Sequence, residues 1–272
     1  MDPNLAPRII FYFTATGNSL YAARTLDAAL APLGAEPLLL SIPQVLKGER
    51  TLWQAEEIGL VAPVYRWDLP PLVQSFLERH RLQAPYRWAV LTCGHRPGAV
   101  VQRLWRRGQA QGQPWHYLAT VEMVDNFLPR FDMEVERNLP RSVERELVYH
   151  GQRLRERLEY RQEGARPPKG GPKGKGLYPL RAEEILTFNE RCRACRLCQR
   201  LCPRGNFTFQ DQKMGLGGEC EYCLACIHNC PWGGLSLKGG EVNSGARYRH
   251  PQVALEEIAA ANSQLPGTLP PL

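Results

Sequence analysis

The chain has 272 residues, 43% of them hydrophobic and 22% charged, which is ordinary globular usage and excludes wholesale disorder. Its length suits a medium domain joined to a small one. A formal charge of +7, from 34 Lys and Arg against 27 Asp and Glu, is a modest excess that suits solvated charge or an acidic protein partner better than nucleic acid, for which no binding module is evident.

Met1 to Arg8 lacks a basic region followed by an apolar run, so no secretory signal is expected. No stretch has the ~18 uninterrupted apolar residues of a membrane span, and a cytoplasmic location is expected.

From Arg8 the chain reads Ile9-Ile10-Phe11-Tyr12-Phe13, then Thr14-Ala15-Thr16-Gly17-Asn18-Ser19, then an apolar-periodic run beginning at Leu20. A buried strand thus feeds a small polar loop that opens a helix. Such a junction aims backbone N–H groups and the positive end of a helix dipole at one point, as a phosphate requires. The hydroxyls of Thr14, Thr16 and Ser19 add neutral donors, and Gly17 permits close approach. No Walker lysine and no G-x-G-x-x-G accompany the loop.

Further apolar segments at Leu38–Leu40, Glu57–Ala62, Trp88–Thr92 and Tyr117–Met123 read as strands. Helical spacing occupies Ser19–Leu33, Pro70–Arg81, Pro97–Gln111 and Leu139–Arg161. Five strands alternating with helices predict a doubly wound parallel sheet, with ligands beyond the carboxyl ends of its strands.

With its loop from Thr14 to Ser19, the region 8–162 resembles the flavodoxins, whose phosphate loop has the form Thr/Ser-x-Thr-Gly-Asn-Thr/Ser. The resemblance implies strand order 2-1-3-4-5 and FMN as cofactor, with Thr14, Ala15, Thr16, Gly17, Asn18 and Ser19 on its phosphate. Tyr65 and Trp67, after the third strand, are candidates to stack on the flavin ring. Cys93, Gly94, His95 and Gly98, in and after the fourth strand, are candidates to face its pyrimidine edge. Cys93 also suits a small buried position and His95 an exposed one. Asn126 and Phe127, after the fifth strand, are the weakest pocket candidates. No acidic loop of the small flavodoxin kind is present.

A basic Gly/Pro-rich linker spans 163–180, with no periodicity that could bury a core. Eight of the nine cysteines then fall between Cys192 and Cys230. They read Cys192-x-x-Cys195-x-x-Cys198-x-x-x-Cys202-Pro203 and, again, Cys220-x-x-Cys223-x-x-Cys226-x-x-x-Cys230-Pro231. In a reducing compartment such clustering means metal binding rather than disulfides. Zinc sites usually pair two C-x-x-C knuckles, whereas a repeated triple with a proline-tailed fourth member favours iron–sulfur cubanes.

This block, within 181–240, resembles the bacterial-type two-cluster ferredoxins. The resemblance implies a small α+β fold and two [4Fe–4S] clusters, one on Cys192, Cys195, Cys198 and Cys230, the other on Cys220, Cys223, Cys226 and Cys202. Ile185, Leu186, Phe188, Phe207, Phe209, Leu235 and Leu237 would supply its apolar contacts. His228 reads as a loop or surface residue, and Arg191, Arg193, Arg196 and Arg200 as solvated charge or a face for an acidic redox partner. The tail 241–272 carries a short helix over Pro251–Ala261.

Together the two resemblances imply an electron-transfer flavo-iron–sulfur protein that exchanges electrons between FMN, the clusters and an external partner. A cluster-fed FMN-dependent reductase of a small substrate and a flavin-less iron–sulfur regulatory module are the alternatives.

Overall fold

A computed structural model describes residues 6–30, 37–163 and 180–266. All but the ends of the expected linker, and the residues after 266, lie outside the described residues. The described chain packs as two compact units: 6–13, 18–123 and 141–163 form the first, and 14–17, 124–140 and 180–266 the second.

The first unit contains β1 (Ala6–Tyr12), α1 (Asn18–Ala29), β2 (Leu38–Ser41), α2 (Ile42–Val45), β3 (Leu52–Pro63), α3 (Pro71–Arg79), β4 (Arg81–Gln83) and β5 (Tyr86–Cys93). It continues with α4 (Val100–Ala110) and β6 (Tyr117–Glu122) and, beyond α5 (Met133–Glu136) of the second unit, with α6 (Val143–Arg155) and β7 (Tyr160–Arg161). Strands β2-β1-β3-β5-β6-β7 form a sheet in that order, and β4 pairs with β3 off that path. Every pairing in the sheet is parallel. Its first five positions follow the flavodoxin-like order, in which the first strand is flanked by the second and third.

The central strands are apolar on both faces because helices cover both, and β5 is buried along its whole length. Helix α3 starts where Pro70 and Pro71 pre-set the backbone, and buries Leu72, Val73, Phe76 and Leu77 along one stripe. The sheet has seven strands rather than the expected five. The two additions, β4 and β7, have three and two residues, too few to show a period. Strand β3 also starts earlier than expected, because Leu52 to Ala55 alternates outward and inward where β3 pairs with β4.

The second unit contains α5, β8 (Leu180–Arg181), α7 (Ala182–Ile185), β9 (Leu186–Phe188), α8 (Leu197–Leu201), β10 (Phe207–Gln210) and β11 (Lys213–Leu216). After these come β12 (Glu219–Cys220), α9 (Ala225–His228), β13 (Leu235–Leu237) and α10 (Leu255–Asn262). Its strands pair antiparallel as β10-β11, β12-β8 and β13-β9. The apolar core joins Leu186, Phe207, Ile227, Leu235 and Leu237 to Leu128 and Met133 and to Ala246 and Tyr248. Chain order places 124–140 in the first domain and 241–272 in a tail, whereas 124–140 and residues of the described part of that tail, Ala246 and Tyr248 among them, pack around the cysteine block. A short segment wrapped on eight thiols has too little apolar area of its own, so residues borrowed from both sides complete its core.

Candidate functional site: two thiol-lined cavities and a phosphate-type loop

The two cysteine runs adopt the same backbone twice. Ala194 and Arg196 in the first run have φ of 49° and 66°, and Tyr222 and Leu224, at the same places in the second, have φ of 54° and 59°. Left-handed conformations at non-glycine residues cost about 1–2 kcal/mol each, so four at matching positions mark an imposed geometry. Each fourth cysteine opens the sequence Cys-Pro-x-Gly, and Gly205 and Gly233 are left-handed at φ 68° and 59°. Glycine adopts this without a Cβ penalty. The turn brings Asn206 N–H to Cys202 Sγ at 3.4 Å and Gly234 N–H to Cys230 Sγ at 3.3 Å. Tyr222 N–H reaches Cys220 Sγ at 3.3 Å. N–H groups aimed at sulfur favour the thiolate form.

The thiols line two cavities. One is bordered by Cys192, Cys195, Cys198 and Cys230, with Cys226 also reaching it. The other is bordered by Cys202, Cys220, Cys223 and Cys226. The fourth cysteine of each run has therefore crossed to the cavity of the other run. Among the described residues no three His, Cys, Asp or Glu side chains converge as ligands of a single ion.

Burial, then the proximity of Cys195, Cys192 and Cys230, pushes the Cys198 thiol up to about 12. Burial likewise raises Cys220 to about 11 and lifts Cys202, Cys223 and Cys226. Thiols crowded this way resist ionisation until positive charge is placed among them. The donor set and its crossing fit a multinuclear centre held by four thiolates in each cavity.

His228 is a correction to the sequence reading. It is 5% exposed, on α9 between Cys226 and Cys230. Tyr248 N–H donates to its Nδ1 at 3.2 Å, so the ring proton sits on Nε2, which donates to the Asn126 carbonyl at 2.8 Å. Burial holds its pKa down to about 4, so it is neutral near pH 7. Phe209 also differs from expectation: it is 37% exposed, with the Arg196 guanidinium 4.9 Å from its ring centroid. Phe127 packs edge-on against Tyr222 at 5.5 Å.

The loop between β1 and α1 has the expected place and a Gly17 φ of 101°. Its hydroxyls act differently from simple free donors. Thr14 Oγ1 accepts the Gly17 N–H at 3.1 Å, and Thr16 Oγ1 accepts the Asn126 Nδ2–H at 2.6 Å. Because each oxygen is used as an acceptor, each hydroxyl proton remains available to an anion. In the first unit, Ser19 Oγ and Thr92 Oγ1 lie 2.8 Å apart and share one proton, leaving the other to donate. The tail, meanwhile, holds the loop by its carbonyls. His250 N–H donates to Thr16 O at 2.7 Å, and Asn262 Nδ2–H donates to Thr14 O at 2.8 Å. Each pinned carbonyl turns the N–H of the same peptide the opposite way, away from the tail. A Cβ on Gly17 would lie 2.8 Å from His250 Cβ, so glycine is required for this contact. The loop fits a phosphate by its donor chemistry.

In the first unit, Tyr65 and Asp68 exchange backbone hydrogen bonds of 2.8 and 3.0 Å around Arg66 and Trp67, whose φ values are 51° and 65°. This is a type I′ turn built from two non-glycine residues. The Arg103 guanidinium braces it, pairing with Asp68 at 2.8 Å and donating to the Trp67 carbonyl. Tyr65 meets Phe13 edge-on at 6.3 Å. Gly98 packs against Trp67, where a Cβ would lie 2.6 Å from the Trp67 Cβ. Gly94 is half-buried and His95 is exposed, 3.9 Å from Glu122. Cys93 ends β5 buried, its thiol turned to the Val121 carbonyl at 3.7 Å.

The chain is similar to a flavodoxin from the domain Archaea, at 13% identity over 55% of this chain and 96% of that one, with TM-score 0.38. It is similar to the two-electron reduced flavodoxin of Megasphaera elsdenii, at 18% identity over 53% and 97%, with TM-score 0.36. It is also similar to the rubredoxin oxygen:oxidoreductase of Desulfovibrio gigas, at 16% identity over 56% of this chain, with TM-score 0.39. The chain spans 36% of the length of that oxidoreductase. No protein-family model matches the chain, nor does any curated protein. The flavodoxin-like assignment rests on the strand order itself. Among the described residues no helix is long and apolar enough to cross a membrane.

Proposed function

We propose that the chain is an electron-transfer flavo-iron–sulfur protein. In this reading Cys192, Cys195, Cys198 and Cys230 hold one [4Fe–4S] cluster, and Cys202, Cys220, Cys223 and Cys226 the other. The observation that carries it is the crossing of Cys202 and Cys230 between two thiol-lined cavities. Thiols set around a cavity suit a cage-shaped cluster, and a crossed fourth ligand is the arrangement of two-cluster ferredoxins.

FMN would bind by its phosphate at Thr14 to Ser19, through the N–H of Ala15 and the unspent hydroxyl protons of Thr14 and Thr16. Trp67, on its braced turn, is the candidate to stack on the ring, with Gly94, His95 and Gly98 following β5 at the same end of the sheet. When bound, a flavin accepts one or two electrons whereas cubanes pass one at a time. The chain's own groups position the cofactors and tune them: N–H donors stabilise charge on sulfur, and buried apolar side chains limit water.

Anaerobic preparation followed by iron, sulfide and FMN quantification on one sample tests the reading. About eight irons, eight sulfides and one FMN per chain are expected. Zinc in place of iron, or a preparation that binds neither iron nor flavin on reconstitution, overturns it. Electron transfer, rather than turnover of a small substrate, is favoured because the strongest constraint on the chain is the repeated thiol geometry.

A further inference from the structure

The two thiol cavities differ in what surrounds them. In the first, Cys195 is exposed and Cys192, Cys198 and Cys230 are half-buried. In the second, Cys202, Cys223 and Cys226 are buried and Cys220 is half-buried. The residues between the ligands follow suit. Arg191, Arg193 and Arg196 are exposed around the first run, while Cys223 to Asn229 of the second is buried throughout.

The rim of the first cavity is formed by Arg193, Arg196, Trp232, Phe188 and Met214. Trp232, on the loop after Cys230, is 52% exposed. Arg196 donates to Gln199 and lies over Phe209. Among the described residues none of Arg191, Arg193 and Arg196 forms an ion pair, although the exposed Glu190 adjoins Arg191 in sequence. At the place of Arg193 the second run has Glu221, which is buried and neutralised by Arg204 at 2.5 Å. Three cations without an ion pair and an exposed indole thus gather at the cavity whose thiols are the less buried.

Resting on the cluster reading above, we propose that the Cys192, Cys195, Cys198 and Cys230 cavity is the port through which electrons enter or leave the chain. Its rim of Arg193, Arg196 and Trp232, with Arg191 exposed next to Cys192 in the chain, docks an acidic one-electron redox protein. Exposed unpaired cations steer an anionic partner, and an exposed aromatic surrounded by arginines has the composition of an interface centre. The transfer balances simply: one electron passes from the reduced centre to the partner, which is reduced by one, and no bond or proton moves.

The test uses the intact holoprotein, with iron and sulfide measured first so that absence of clusters, which defeats the cluster reading, is separated from failure of the port. Dithionite-reduced protein is mixed anaerobically with the anion iron(III)–EDTA or the cation hexaammineruthenium(III), and cluster bleaching is followed. For the anion the rate should fall roughly tenfold between 50 and 500 mM salt, and for the cation it should rise. Arg191→Gln, Arg193→Gln and Arg196→Gln together should remove the dependence at unchanged iron content. Calorimetric titration with a negatively charged flavodoxin should show salt-sensitive binding, lost in Trp232→Ala and in the triple variant. Equal salt dependence for both acceptors, or flavodoxin binding indifferent to salt and to both variants, overturns the proposal.

Discussion

The Nε2–H of His228 donates to the backbone carbonyl of Asn126 at 2.8 Å, and the side chain of that same Asn126 donates to Thr16 Oγ1 at 2.6 Å. A residue lying between two cluster-type cysteines is thereby joined, through one asparagine, to the phosphate-type loop. The two bonds have separable consequences. Asn126→Ala removes the support of Thr16 and leaves His228 bonded to a backbone group. It should weaken FMN binding about five- to tenfold, the effect of one neutral hydrogen bond, with iron content unchanged. His228→Ala strands the Asn126 carbonyl and the Tyr248 N–H in a dry interior. It should destabilise the second unit by about 2–4 kcal/mol and lower cluster retention. Flavin fluorescence titration and iron assay on both variants check this. Equal loss of iron in the two would contradict it.

The crossing of the fourth cysteines makes a stoichiometric prediction. Cys230→Ala should remove the centre held by Cys192, Cys195 and Cys198, and Cys202→Ala the centre held by Cys220, Cys223 and Cys226, each leaving about four irons instead of about eight. The surviving spectrum should differ between the two variants, because the thiols of one cavity are more exposed than those of the other. Cys93→Ala should leave iron and flavin as they are, since its thiol is buried in the first unit and turned to the Val121 carbonyl. Low-temperature magnetic resonance of the reduced variants reads all three.

The thiol spacing was legible because cysteines three residues apart on one tight loop carry their geometry in the sequence. The strand–loop–helix from Ile9 to Leu26 was legible for the same local reason. What escaped is non-local. Asn262 meets Thr14 across 248 positions, and no pattern near either residue announces the partner. His228 looked superficial because one polar residue among cysteines carries no period. Its burial depends on Val124 to Pro140 folding back onto the cysteine block. The Cys-Pro-x-Gly repeat was present to be read at Gly205 and Gly233, but only the backbone shows that both glycines are left-handed.

That repeat can be tested at Gly233, where the nearest atom to an added Cβ is Arg191 Nη1 at 3.9 Å. Space is therefore ample, and only the φ of 59° opposes a side chain. Gly233→Ala should cost about 1–2 kcal/mol and disturb the Gly234 N–H at Cys230 Sγ. We expect a lowered reduction potential for the solvent-exposed centre with the buried one unmoved, since a weakened N–H···S contact stabilises the extra negative charge less well. Gly233→Asn, a residue that tolerates the left-handed region, should recover most of the loss in spectroelectrochemical titration.

The first unit carries its own pH dependence at His150, buried on α6 with Nδ1 2.7 Å from the Tyr117 hydroxyl. Burial, with Arg153 adding to it, lowers its pKa from 6.5 to about 4. An unfolded chain therefore takes up a proton near pH 6.5 that the folded chain refuses until about pH 4. Because the unfolded state binds more protons in that window, stability rises with pH across it and is lost as pH falls. The full difference is of order 3 kcal/mol, spent between pH 6.5 and 4 and absent above pH 7.5. Urea unfolding monitored at several pH values should show the slope, and His150→Gln should flatten it, because an amide keeps a hydrogen-bonding group near Tyr117 without a proton to gain. A variant with the same slope as the parent would place the acid sensitivity elsewhere.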